Sequence, residues 1–153
     1  MPTPAKLVSA VLFAALAWAV GEAIVRYTLE EGTRVGLFRE FLAFGGLLIG
    51  WRYIGRIASG PTMRGNTVTN VITAGIGGAA ILLVLGLLLH AFGVMIAESL
   101  QGKYTAIGTA ASSWMGFLVK DAVTVFHPVV MGLLFGGGAV VGLIGGLVGR
   151  TMR

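Results

Sequence analysis

From Ala79 to Leu89 every residue is apolar or a glycine, and around that centre no lysine, arginine, aspartate or glutamate occurs between Val68 and Ala97. A run of this length constrains the fold more than any other feature of the chain. A hydrocarbon layer about 30 Å thick is crossed by roughly 20 helical residues, because a helix pairs its own backbone groups where no water can do so. Three more stretches approach or reach that length, at about 5–25, 38–57 and 129–148. The expected fold class is an all-α membrane protein, a single membrane domain over residues 1–153 with four transmembrane helices and the lipid bilayer as its solvent. Composition agrees, with 11% charged residues against the roughly 25% that covers a soluble domain.

Local signals place the ends of these helices. Thr3 suits an N-cap and Pro4 a first helical position, where a missing N–H costs nothing. A cleaved signal peptide is the rival reading of this segment: Lys6 is the basic region, Leu7 to Leu16 the apolar region, and Ala17-Trp18-Ala19 an A-x-A site. The apolar run continues past that site to spanning length, which favours a retained helix ending in the charged segment Arg26 to Arg34. The second span has Arg39 and Glu40 at one mouth and Trp51, Arg52, Tyr53 and Arg56 at the other, where long amphipathic side chains reach the headgroups. Ser59-Gly60-Pro61 then breaks it. The third span is long enough to tilt or to project beyond the bilayer, and the last begins at Pro128.

Between Glu98 and His127 the pattern changes. Ile107, Ala111, Trp114, Leu118, Ala122 and Val125 recur at three- and four-residue steps, with Ser113, Lys120, Asp121 and Thr124 elsewhere. An amphipathic helix over about 107–125, lying at the membrane interface between spans 3 and 4, is expected. A short fifth span competes with it, at the expense of placing Lys120 and Asp121 in lipid.

With four spans, Lys6, Arg52, Arg56, Arg64, Arg150 and Arg153 share one side, while all six carboxylates lie on the other with Arg26, Arg34, Arg39, Lys103 and Lys120. The positive-inside rule then puts both termini in the cytoplasm, and the location expected is a bacterial inner membrane. The net charge of +5 is spread singly at the edges of apolar runs, so it reads as anchoring and not as a nucleic-acid footprint.

Few residues offer chemistry. The chain has no cysteine, which excludes disulfides, thiolate metal sites and CxxC redox pairs. His90 is the ionisable group deepest in an apolar run, and such a group is a candidate site by default. Its options are a proton relay, a metal or haem ligand, or a neutral histidine hydrogen-bonded to a neighbouring helix. His127, at the mouth of the last span, lies roughly 10 Å shallower at 1.5 Å per residue, a mismatch that argues against paired haem ligation. Met95, Met115 and Met131 lie toward the same side, so copper ligation stands beside their ordinary use as apolar filler. Glu22 stands four residues before Arg26, the spacing of an ion pair on one helix face. Ser112 and Ser113 lack a nucleophile elbow. No catalytic residue, metal or cofactor is expected, and the chain is not read as an enzyme.

Glycine carries more information. Gly46 and Gly50 in the second span, and Gly132, Gly136, Gly138, Gly142, Gly145, Gly146 and Gly149 in the last, stand along stripes where another backbone can approach closely. Packing within one bundle is one reading; a homo-oligomer or docking on a larger membrane complex is the other. Gly136-Gly137-Gly138 has neither a preceding strand nor a following Lys-Ser or Lys-Thr pair, so it is no nucleotide-binding loop.

The opening Met1-Pro2-Thr3-Pro4-Ala5-Lys6-Leu7-Val8, Ala17-Trp18, the stretch Gly46 to Trp51 followed by Gly55-Arg56, and Gly65-Asn66 resemble the TrgA family, small multi-span membrane proteins of alphaproteobacteria associated with tellurite resistance. The likeness covers the first half in residues and the second half in layout. It implies an inner-membrane protein linked to tolerance of a toxic oxyanion, with no active residues to carry over. Without a thiol to reduce tellurite, an indirect role is expected. The functions weighed are therefore a non-catalytic resistance or envelope-stress factor, an accessory subunit docking by glycine-rich helices on a respiratory or photosynthetic complex, and a small transporter or channel.

Overall fold

The computed structural model describes residues 3–28, 37–60, 67–104 and 106–152. The elements they form are all helical: α1 (Pro4–Thr28), α2 (Phe38–Ile49), a π-helical turn (Gly50–Ile54), α3 (Gly55–Ala58), α4 (Val68–Leu100), α5 (Ile107–Val125) and α6 (Pro128–Thr151). Side chains satisfy the first turns. Thr67 Oγ1 accepts the Asn70 N–H at 3.2 Å and His127 Nδ1 accepts the Val129 N–H at 3.4 Å, each taking up one of the unpaired donors of a helix start. The Thr3 and Ser59 hydroxyls meet at 2.7 Å, tying the start of α1 to the end of α3.

Glycines fix how the helices pair. A Cβ at Gly75 would overlap the Gly138 carbonyl oxygen, and one at Gly142 that of Val71, so α4 and α6 lie backbone against backbone and run antiparallel. On α1, Gly46 sits over Phe13 and Ala17, Gly50 over Ser9 and Ala10, and Gly55 over Lys6. The rod from Phe38 to Ala58 is therefore antiparallel to α1. The step from Gly50 to Gly55 is one residue longer than that from Gly46 to Gly50, which in an unbroken α-helix would swing Gly55 off the shared face. The Gly55 N–H instead bonds the Gly50 carbonyl, an i→i+5 turn that absorbs the extra residue. The π turn keeps the glycine stripe against α1.

α1 packs on the α2–α3 rod and on α6, and α4 closes the bundle against both of these. Between them Phe13, Ile54, Val71, Val130 and Leu134 are almost fully buried, and Ser9 is the only buried polar side chain among the described residues. The periphery is apolar as well: Val11, Phe41, Phe44, Val84, Leu89, Val140 and Leu147 are all exposed. A bundle with an apolar core and an apolar outside is suited to lipid and not to water.

Three helices, Pro4–Tyr27, Val68–Leu100 and Pro128–Thr151, are long and apolar enough to cross a membrane. α4, with 33 residues, is about 50 Å long. The Gly75–Gly138 and Val71–Gly142 register brings the start of α6 level with about Leu85, so nearly half of α4 extends past it. α5 lies antiparallel along that extension, with Trp114 edge-on to Phe92 at 6.2 Å. Trp114, Leu118, Ala122 and Val125 are turned inward, whereas Ile107 and Ala111 are exposed, as are Met115, Val119 and Val123 on the outer face. Glu30, Glu31, Arg34, Pro61, Arg64, Gly65, Asn66 and Arg153 lie outside the described residues.

Candidate functional site

The end of the bundle where α1 finishes and α2 and α6 begin gathers Glu22, Arg26, Arg39, His90, Asp121 and His127. α4 carries His90 to this level, and α5, running back down α4, brings Asp121 opposite it. Asp121 flanks the inward stripe of α5, one residue before Ala122 and four before Val125. His90 Nδ1 and Asp121 Oδ2 are 2.7 Å apart, and Phe38, at the start of α2, stands edge-on to the imidazole at 5.6 Å. The carboxylate accepts from Nδ1–H, which fixes the tautomer. Nε2 then remains as an acceptor in the neutral ring and a donor in the protonated one.

Beneath this pair is a cavity of about 80 Å³. Its walls are apolar, with Val20 and Ile24 from α1, Phe38 and Leu42 from α2, Leu82 from α4 and Leu134 from α6; His90, Asp121 and Thr124 are its polar lining. The Thr124 hydroxyl donates to the Lys120 carbonyl at 2.9 Å, so it is left able only to accept, and donation at the rim falls to the His90–Asp121 pair. Gly86 lines the cavity too, and a Cβ there would press on Leu42 at 3.3 Å. Its missing side chain helps keep the space open.

The other polar groups at this end close on one another. Glu22 accepts from Arg26 Nε at 2.8 Å and, through its second oxygen, from Arg39. The Arg39 stem passes close to Gly21, and its guanidinium lies 6.0 Å from the centre of the Trp18 ring, a cation–π distance. This group fastens the end of α1 to the start of α2 by charge. His127 caps α6 and stacks on Tyr27 at 5.8 Å, and the structure does not join it to His90. At the tip of the hairpin, the Glu98 carboxylate accepts from Lys103 at 2.8 Å and from the Tyr104 hydroxyl at 2.6 Å. That carboxylate, together with desolvation, holds the Tyr104 phenol above its ordinary pKa.

Of the glycines singled out in the sequence, Gly46, Gly50, Gly138, Gly142 and Gly145 are pressed against other helices of the same chain, and Gly146 and Gly149 are buried in α6. Gly132 and Gly136 face open space. Among the described residues no three His, Asp or Glu side chains gather as metal ligands. Sequence reading singled out His90 without its partner and Glu22 with Arg26 alone. The usable signal for His90 was that two polar residues, His90 and Asp121, interrupt consecutive apolar helices, which pair as a hairpin. By sequence Arg39 reads as an interfacial anchor, and the structure adds it as the second partner of Glu22.

No family model, curated protein or solved structure matches the chain.

Proposed function

We propose that the protein is a four-span, non-catalytic protein of the bacterial inner membrane with both termini in the cytoplasm, acting indirectly in tolerance of tellurite or a related envelope stress, as its resemblance to the TrgA family implies. The observation that carries the membrane part of this reading is the bundle that is apolar inside and outside, with its polar side chains drawn to the ends. The rod from Phe38 to Ala58 supplies the fourth crossing: its 12-, 5- and 4-residue pieces stack into a length of about 30 Å, near the hydrocarbon thickness. α5, flanked by the extension of α4, lies at or beyond the interface, where Lys103 and Lys120 reach headgroups. The stress role rests on the resemblance, and a gene deletion tests it. Loss of the protein lowers the tellurite concentration that arrests growth, and a plasmid copy restores it; unchanged tolerance in the deletion strain removes the role while leaving the architecture standing.

A second reading has its own observation. Gly132 and Gly136, four residues apart on the outer face of α6 with nothing against them, leave a place for another helix, so the chain is also a candidate accessory subunit of a larger complex or a homo-oligomer. Mild detergent purification with mass spectrometry of whatever accompanies it in fixed ratio distinguishes the two. A small transporter or channel is less supported, because apart from Ser9 the buried side chains of the bundle are apolar and offer no wet track among the described residues.

A further inference from the structure

We propose that the cavity beneath the His90–Asp121 pair is a binding site for a lipid-soluble aromatic ring bearing carbonyl or hydroxyl groups, of the alkylated benzoquinone and phenol class. The proposal goes beyond the stress role. It rests only on the bundle standing in a membrane, so the two fail separately.

Four observations on different elements lead to it. The space, about 80 Å³, is of the order of one six-membered ring. Its walls are apolar and favour the apolar part of a guest over water. Its polarity is confined to one rim, which is how a pocket orients an amphipathic ligand: a large apolar body and one or two convergent polar groups. Finally, Asp121 occupies only Nδ1 of His90. The other ring nitrogen is able to donate to a carbonyl or accept from a hydroxyl, so the same site accommodates both forms of such a ring. A saturated acyl chain would fill the walls but leave the His90–Asp121 pair without a polar partner, and a soluble anion would meet a floor of Val20, Leu42, Leu82 and Leu134. An alkyl tail on the ring has the apolar outer surface of the bundle to lie along.

The test uses the full chain in phospholipid nanodiscs and a decyl-substituted benzoquinone as probe, with retention by empty nanodiscs subtracted. Saturable binding at one site per chain is expected. Gly86→Leu fills the cavity and weakens binding by roughly tenfold or more, the effect of losing about 1.4 kcal/mol. His90→Phe weakens the benzoquinone by a similar factor yet leaves decylbenzene, which lacks carbonyls, bound as in the wild type. Circular dichroism and thermal unfolding of both variants keep a folding defect from passing as a binding defect, and either folded variant suffices. The proposal is overturned if the probe partitions equally into empty nanodiscs, if both folded variants bind it as the wild type does, or if native mass spectrometry finds a phospholipid chain in the cavity that the benzoquinone does not displace.

Discussion

At Tyr104 a hydrogen bond to a carboxylate is the largest influence on when the side chain ionises. Its hydroxyl donates to Glu98 at 2.6 Å, and a phenolate there would face the carboxylate at close range, so the carboxylate raises the phenol's pKa, desolvation adds to it, and a bond from Ser113 opposes both. The neutral phenol is the form the fold favours. Its stabilising contribution is therefore intact below the ordinary tyrosine pKa and is lost as pH rises through the higher folded value. In an alkaline absorbance titration, the phenolate signal missing from Tyr104→Phe is expected to fall late in the wild type, and Glu98→Ala to bring it toward the ordinary range; an unchanged titration in Glu98→Ala would remove the bond as its cause. Glu22 illustrates a different dependence. It holds two arginines from two helices, so Glu22→Ala leaves Arg39 facing Trp18 with no counter-charge. That variant is expected to lower the thermal midpoint in detergent more than Arg26→Ala does, since Arg26 is 71% exposed and exposed pairs contribute little.

Pairs of helices depend on glycine wherever two backbones touch. Gly75→Ala would drive a methyl group into the Gly138 carbonyl, and Gly142→Ala into that of Val71. Backbone cannot yield as a side-chain tip does, so each is expected to cost about 1–3 kcal/mol or more, the range for overpacking, read as a loss of unfolding midpoint in mixed micelles. Gly132→Ala and Gly136→Ala meet open space and gain helix propensity, up to about 1 kcal/mol. A destabilised or dissociated Gly132→Ala would reveal that something covers this face in the membrane. These differences were only half legible in the sequence. The four-residue spacings marked Gly132 and Gly142 alike, but which of them meets a neighbour depends on how far α6 is rotated about its axis, a property of the whole bundle. The π turn was hidden for a related reason: Gly50 and Gly55 are out of α-helical step, and only the demand of α1 for both on one face makes that offset meaningful.

For the molecule as a whole, helix lengths and hydropathy reveal α1, α4 and α6 directly, because lipid leaves so few ways to satisfy a backbone. The rod from Phe38 to Ala58 is visible by length but carries Arg52 and Arg56 in its final third. The pairing of His90 with Asp121 shows in the sequence only as two polar residues on consecutive helices; they stand 31 positions apart, and no local pattern sets the register of the hairpin that joins them. Length also limits how α4 can sit. Even tilted by about 40°, the upper end of the observed range, a 30 Å layer accommodates only about 26 helical residues, and α4 has 33. Roughly a fifth of it must stand outside, and the polar end nearest to it, with Glu98, Lys103 and Tyr104 bonded together, is the end suited to water. The absence of native cysteine makes this directly measurable, because any single cysteine introduced is the only thiol. In intact cells exposed to a membrane-impermeant maleimide, Gln101→Cys and Ser112→Cys are expected to react at once, Gly60→Cys and Thr151→Cys only after the membrane is opened, and Val84→Cys in neither case. Reaction of Gly60→Cys and Gln101→Cys from the same side would mean that α4 does not cross. The four-span arrangement, and with it the membrane setting of the His90 cavity, would then have to be given up.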